Sequence, residues 1–121
     1  MTVSELINKN EKTAFSFEVL PPVKGTGTSA LFSTIDALKE FGPEYINITT
    51  HRSEYVYVEQ PDGTYLRHFM RRRPGTVAVA SAIMQKYGIK VVPHVVVSGM
   101  TKEDIEYMLL DLQFLGIQDI L

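Results

Sequence analysis

The hydrophobic positions of this chain alternate between short, nearly continuous apolar runs and longer segments with an apolar residue every three or four positions. The short runs are typical of strands buried on both faces, and the longer segments are typical of amphipathic helices. Predicted strands cover residues 14–20, 45–49, 89–97 and 117–121. With helices between them, this order predicts an α/β fold with a parallel sheet and right-handed crossovers.

Glycine, proline and a capping sequence mark the ends of the predicted helices. The first helix, residues 29–41, ends at Gly42-Pro43. The second is opened by Pro74-Gly75-Thr76 and runs to Tyr87, where Gly88 provides a left-handed stop. The third follows Thr101-Lys102-Glu103-Asp104, a capping box with Asp in place of the usual Glu or Gln, and ends at Gly116.

A long polar and aromatic stretch joins the second strand to the second helix. Tyr55-Val56-Tyr57-Val58 comes before the turn sequence Pro61-Asp62-Gly63, and residues 65–69 follow it. Two β-prone runs separated by such a turn are typical of an antiparallel hairpin. We therefore expect a small hairpin that projects from the end of the second strand.

Four strands and three helices make about half of a (β/α)₈ barrel, the TIM barrel. The printed sequence stops inside the predicted fourth strand, whose edge would be open to pairing unless another segment or chain covers it. The expectation is that residues 1–121 form a single partial domain, the N-terminal half of such a barrel.

Composition and charge exclude several classes of function. The chain is 45% hydrophobic and 21% charged, with a net charge of -2, so it has no general attraction to nucleic acid or anionic membranes. No apolar run approaches the roughly 18 residues of a membrane span. Without cysteine there is no disulfide or thiolate metal site, and His51, Glu54 and His68 lack a recognised metal spacing. We expect a cytoplasmic protein without a metal, nucleic-acid or membrane partner.

One carboxylate lies inside the apolar run Phe15-Ser16-Phe17-Glu18-Val19-Leu20-Pro21-Pro22, near the carboxyl end of the first strand. An acid in this position either forms a structural ion pair with a nearby Lys or Arg or lies at a frayed strand end, or it acts as a general acid or base among its apolar neighbours Phe15, Phe17 and Val19. The run by itself leaves both interpretations open for Glu18.

Polar side chains also follow the second strand and interrupt the third. Thr49, Thr50, His51 and Arg52 come at the end of the second strand, and His94 lies within the third. The carboxyl ends of parallel strands meet at one edge of a sheet, where hydroxyl, imidazole and guanidinium groups suit a phosphate-bearing cofactor. The alternatives are strand propensity for the threonines and a satisfied core histidine.

Taken together and in order, these runs resemble the N-terminal part of the methylenetetrahydrofolate reductase family. The resemblance spans residues 15–121 and implies a flavin-containing (β/α)₈ barrel. It also implies that hydride passes from NAD(P)H to FAD and then to methylenetetrahydrofolate, giving methyltetrahydrofolate. The matching runs are residues 15–22, Tyr45-Ile46-Asn47-Ile48-Thr49-Thr50, Arg73-Pro74-Gly75-Thr76 and Val92-Pro93-His94.

The resemblance implies roles for particular residues. Glu18 matches the family's proton donor, which helps to open the methylene-bridged ring of the folate. Thr49 matches a threonine near the flavin and nicotinamide, and Thr50 and Arg52 fall at FAD-contacting positions. His94 matches an FAD-contacting histidine. A folate substrate and a homo-oligomeric assembly are implied as well.

The sequence departs from the family pattern at its last residue. The family continues into an Arg-Gly-Asp segment whose Asp lies beside the flavin, and later strands supply the remaining FAD and substrate contacts. The printed sequence stops before that segment. The expectation is therefore that the 121-residue chain alone is inactive, and the alternative is a catalytically incompetent fragment that self-associates through its open strands.

Overall fold

The computed structural model describes residues 1–9, 11–50 and 54–121. Short helices and strands alternate along most of this length. In chain order they are α1 (Val3–Lys9), β1 (Ser16–Val19), α2 (Ser29–Leu38) with a 3₁₀ turn (Lys39–Phe41), β2 (Tyr45–Ile48), β3 (Glu54–Glu59), β4 (Tyr65–Met70), α3 (Thr76–Tyr87), β5 (Lys90–Pro93) and α4 (Lys102–Leu115).

Strands β1, β2 and β5 form a three-stranded parallel sheet in that order. The register places Glu18 opposite Asn47, and Asn47 opposite Val92. Helix α2 connects β1 to β2, and α3 precedes β5. The predicted α/β fold with a parallel sheet is confirmed, and the arrangement is compatible with part of a (β/α)₈ barrel.

The core lies between one face of this sheet and the helices α2 and α3. In β1 and β2 the residues on that face alternate with residues on the other, whereas Val91, Val92 and Pro93 of β5 are all buried. The other face carries the polar Ser16, Glu18, Tyr45 and Asn47. The buried cluster consists of Val19, Leu31, Ile35, Ile46, Ile48, Val79, Ala80, Ile83 and Val91.

The predicted hairpin is confirmed. Strands β3 and β4 are antiparallel, with Tyr57 opposite Arg67. In the connecting turn, the Thr64 backbone N–H donates to Asp62 Oδ1 at 3.0 Å, and Gly63 has a positive φ of 83°. The Arg67 guanidinium lies 4.4 Å from the centre of the Tyr55 ring, a cation–π contact across the hairpin.

The prediction of a fourth strand at residues 117–121 is wrong for this structure, and the strand predicted at 89–97 is confined to Lys90–Pro93. Val95 donates to the Leu121 carbonyl at 2.6 Å, and Leu121 donates to the Pro93 carbonyl at 3.3 Å. This pairing places the Pro93 nitrogen opposite the carbonyl of residue 119. Because proline has no N–H, the ladder is broken there.

The other predicted elements differ from the structure at their ends. The first two strands are shorter than expected, at Ser16–Val19 and Tyr45–Ile48. The helix expected over residues 29–41 changes to a 3₁₀ turn after Leu38, as last turns often do. The capping box of α4 is confirmed, since Asp104 N–H donates to Thr101 Oγ1 at 3.0 Å and Thr101 N–H donates to Asp104 Oδ2 at 2.9 Å.

Helix α1 was not predicted from the sequence. It has seven residues and no buried side chain. A local capping box opens it, since Thr2 N–H donates to Glu5 Oε2 at 2.7 Å and Glu5 N–H donates to Thr2 Oγ1 at 3.2 Å. Distant partners also hold its start: the Val3 N–H donates to Asp119 Oδ1 at 3.0 Å, and Lys90 Nζ forms an ion pair with Asp119 at 3.2 Å.

In the described part of the chain, no helix has the length and apolar character to cross a membrane.

The capping box predicts that the first turn of α4 loosens in acid. Hydrogen bonds from the backbone and side chain of Thr101 lower the pKa of the Asp104 carboxyl from its ordinary 3.8. Since the folded pKa is depressed, this contribution is present above the ordinary value and is lost as the pH falls through the folded pKa. Amide-exchange protection of Asp104 and Ile105 should therefore drop in strong acid. The drop should be absent in Asp104→Asn and retained in the control Glu103→Gln; an unchanged profile in Asp104→Asn would contradict the prediction.

Candidate active site

The carboxyl ends of β1, β2 and β5 meet at one edge of the sheet. Beyond the strands themselves, Thr49 N–H donates to the Val19 carbonyl at 3.0 Å, and His94 N–H donates to the Ile48 carbonyl at 2.9 Å. These bonds continue the parallel ladder by one residue on each side of β2. The structure thus brings Thr49 and His94 to the same edge, as the sequence predicted.

Glu18 lies on the sheet face that points away from α2 and α3. Its side chain is exposed, and no ion pair joins it to another residue within 1–9, 11–50 or 54–121. The structural ion pair therefore has no partner among the described residues. The expected apolar surroundings are wrong, however. Phe17 and Val19 point to the opposite face because strand side chains alternate, and Phe17 packs edge-to-face on Phe41 at 6.2 Å.

His94 is held at three points. Its N–H bonds the β2 carbonyl described above, its carbonyl accepts a 2.8 Å hydrogen bond from Thr76 Oγ1, and its Nε2 lies 3.4 Å from Asn47 Oδ1. Thr76 is buried, with 8% of its surface exposed. The sequence reasoning assigned no role to Asn47 or Thr76. The available signal was strand alternation. Asn47 lies two residues before Thr49 on the same face of β2, and Glu18 lies on that face of the neighbouring strand β1.

A groove of about 1090 Å³ opens at this edge, between the base of the hairpin, α3 and α4. Thr50 and His94 line it together with Arg71, Arg72 and Arg73. Glu18 and Thr49 are not among its lining residues. Glu18 and Thr49 therefore lie outside the groove and Thr50 lines it, whereas His94 both lines the groove and contacts Asn47 on the open face. Arg52 lies outside the described residues.

The segment Arg71–Arg73 contacts the loop that follows β1. Arg73 Nη1 donates to the Pro21 carbonyl at 2.5 Å, and the Lys24 N–H donates to the Arg72 carbonyl at 2.7 Å. Pro21 is fully buried. Two runs that are 52 residues apart, the Pro21-Pro22 end of the first strand and the Arg73-Pro74 start of α3, are thus joined directly.

The groove belongs to a basic part of the chain. Between Asp62 and Glu103 the sequence has no acidic residue, and Asp111 on α4 is the acid that lines the groove. A local excess of positive charge raises the concentration of anions near it, whatever the net charge of the protein. The basic residues in this interval are Arg67, Arg71, Arg72, Arg73, Lys86, Lys90 and Lys102. In the described residues no group of His, Asp or Glu side chains is arranged to hold a metal ion.

Comparison with known families identifies the chain. The family model described as methylenetetrahydrofolate reductase matches residues 2–121. The chain belongs to the methylenetetrahydrofolate reductase family. A search of curated proteins found no match. Membership in the methylenetetrahydrofolate reductase family supports an oxidoreductase of one-carbon folate metabolism, and it extends over almost the whole sequence, including α1, which the resemblance did not cover.

The hydrogen bond from Thr76 predicts a measurable stability loss in Thr76→Val. Valine keeps the shape but leaves the His94 carbonyl without this donor, and an unsatisfied buried acceptor costs about 1–3 kcal/mol. Urea unfolding should show this loss. The control is Thr34→Val, because the Thr34 hydroxyl donates to the Ala30 carbonyl at 3.1 Å on an exposed surface. Equal stability changes in the two variants would contradict the prediction.

Proposed function

We propose that this chain carries the acid and part of the flavin site of a methylenetetrahydrofolate reductase. The reaction is transfer of hydride from NAD(P)H through FAD to methylenetetrahydrofolate, with methyltetrahydrofolate as the product. The observation that carries the proposal is the family match over residues 2–121. An exposed carboxylate on β1, close to the sheet edge where Thr49 and His94 lie, supports it. FAD, when bound, accepts hydride from one substrate and releases it to the other.

Glu18 is proposed as the proton donor. It lies on the open face of the sheet, where a substrate can approach it, and Asn47 is its neighbour in the register. Its proton goes to the folate nitrogen as the carbon–nitrogen bond of the methylene bridge breaks. The remaining nitrogen–carbon unit is then an iminium, which takes up hydride at carbon. A positioned acid contributes roughly 10²–10⁴-fold to the rate of such a step.

Thr49, Thr50, Arg52 and His94 are proposed as the flavin contacts. Hydroxyls and an imidazole can bond the polar edge and the hydroxylated chain of FAD, and their place at the carboxyl edge fits the usual position of ligands in parallel sheets. The neighbouring arginines Arg71–Arg73 fit the negative charge of its phosphates. The donor set present therefore fits the cofactor.

The isolated 121-residue chain is proposed to be inactive. Glu18 and the polar face around it are open to water in a three-stranded sheet. Acid catalysis and hydride transfer depend on reactants held in fixed geometry in a site that excludes water. Closure over this face by further protein is needed before the acid can act on a bound folate.

Glu18→Gln tests the proton-donor role in the whole protein to which this sequence belongs, called the full-length parent below. The variant should still bind FAD and take hydride from NAD(P)H, because the amide keeps the shape, but folate-dependent reoxidation of the flavin should slow by roughly 10²-fold or more. Rapid-mixing absorbance measures the two half-reactions separately. The matched control is Ser16→Ala, on the same face of β1, which should leave both rates unchanged. Folate reduction at the wild-type rate in flavin-loaded Glu18→Gln would overturn the role.

A self-associating assembly is the second candidate, and it is favoured by the outer surface of α4. Tyr107, Leu110 and Phe114 share one face of this helix and are 60%, 55% and 90% exposed, and Phe114 lies where this face meets the groove. Large apolar side chains grouped in this way are typical of contact surfaces. The proposed partner is a second copy of this chain in a homo-oligomer.

Sedimentation equilibrium tests the assembly. The chain should associate with increasing concentration, and Phe114→Ser should shift it toward monomer because the most exposed aromatic ring is lost. Gln113→Ser, an exposed neighbour on the same helix, is the control that should not change the association. A monomeric chain that unfolds cooperatively at all concentrations would contradict self-association.

A further inference from the structure

The side chains of Asn47 and His94 meet on the open face of the sheet. Asn47 lies between Glu18 and Val92 in the register, and His94 follows Val92 by two residues, so both side chains lie on this face. We propose that Asn47 is a positioning residue that holds the His94 imidazole in the tautomer protonated at Nε2. The use of that tautomer in cofactor binding rests on the function proposed above.

The chemistry of the contact selects the tautomer. His94 Nε2 lies 3.4 Å from Asn47 Oδ1, and an amide oxygen only accepts hydrogen bonds. In a neutral imidazole one ring nitrogen carries the proton and the other accepts. A proton on Nε2 satisfies Asn47 and leaves Nδ1 as an acceptor. The opposite tautomer would place two acceptors against each other.

The backbone of His94 is fixed independently of this contact. Its N–H bonds the Ile48 carbonyl at 2.9 Å, and its carbonyl accepts from the buried Thr76 hydroxyl at 2.8 Å. Rotation about the side-chain bonds is the freedom that remains. The Asn47 amide restricts that rotation, so the ring is presented to a ligand in one orientation instead of several.

The register neighbours of Asn47 do not bond its amide. Asn47 lies between the exposed Glu18 on β1 and the buried Val92 on β5, and in the described residues its side chain contacts His94 instead. An amide in a strand has low propensity, and its retention in the row is accounted for by the contact with His94.

The consequence for binding is a defined acceptor at the carboxyl edge. With Nε2 protonated, Nδ1 of His94 accepts a hydrogen bond from a hydroxyl or N–H group of the ligand. FAD offers both kinds of donor, in its polyol chain and in its ring imide. Loss of the Asn47 contact lets the proton redistribute between the two nitrogens and removes part of this acceptor.

Nitrogen-15 NMR of the histidine side chains tests the tautomer without any ligand. The chain has three histidines, and His94→Gln identifies the His94 signals by their disappearance. In the wild-type chain at a pH where the ring is neutral, the shifts should show a proton on Nε2. Asn47→Leu should shift them toward a mixture of tautomers. Tyr45→Phe, which removes a polar atom from the same face of β2, should leave them unchanged.

Two outcomes of this measurement overturn the proposal. One is a wild-type ring protonated at Nδ1, and the other is an unchanged Nε2 tautomer in folded Asn47→Leu. If Asn47→Leu does not fold, Asn47→Val gives the same test, because valine favours strands and has no polar side-chain atom. A uniform change in both Asn47→Leu and Tyr45→Phe would also overturn it, since a general disturbance of β2 would then explain the result.

FAD binding by the full-length parent tests the consequence. Asn47→Leu should weaken FAD binding by about fivefold to tenfold, the loss typical of one hydrogen bond, while Tyr45→Phe should not. Equal FAD affinity in wild type and Asn47→Leu overturns the binding part. If the wild-type parent does not bind FAD at all, the proposed function fails, and the tautomer measurement still decides the role of Asn47.

Discussion

The central strand β2 is the constraint on which the other parts of the structure depend. It is hydrogen-bonded to a parallel strand on each side, and its side chains alternate between the two faces. Ile46 and Ile48 have no exposed surface and pack against the helices, whereas Asn47 lies on the open face. A slip of one residue would expose both isoleucines and bury the amide, so core packing fixes the register and thereby the place of every polar group opposite.

The carboxyl end of β5 is fixed by different means. Pro93 ends the strand, and because it has no N–H it donates no hydrogen bond to the neighbouring segment. The buried Thr76 hydroxyl instead donates to the carbonyl of the next residue, His94. Thr76 is also the first residue of α3, so the start of that helix and the end of β5 hold each other. The loop at His94 is therefore rigid where it meets the sheet, which is the property required of a residue that orients a ligand.

Features encoded within a few residues were predictable from the sequence, and those encoded by distant contacts were not. The hairpin turn, the capping box at Thr101 and the stop at Gly88 all depend on local conformational preferences. The capping box from Thr2 to Glu5 in front of α1 is also a local signal, although the helix was not predicted, whereas the pairing of residues 117–121 depends on the proline of another strand. In the site, strand alternation predicts on which face of the sheet Glu18 lies. The contact between Asn47 and His94 could not be predicted in this way, because it depends on the register between two strands.

The open face of the sheet and the groove meet at the carboxyl ends of β2 and β5. Thr49 follows Asn47 by two residues on the open face, and Thr50 lines the basic groove. His94 connects the same two regions, because its side chain contacts Asn47 on the open face and also lines the groove. A ligand that places a reacting ring near Glu18 and an anionic group near Arg71–Arg73 must cross this edge.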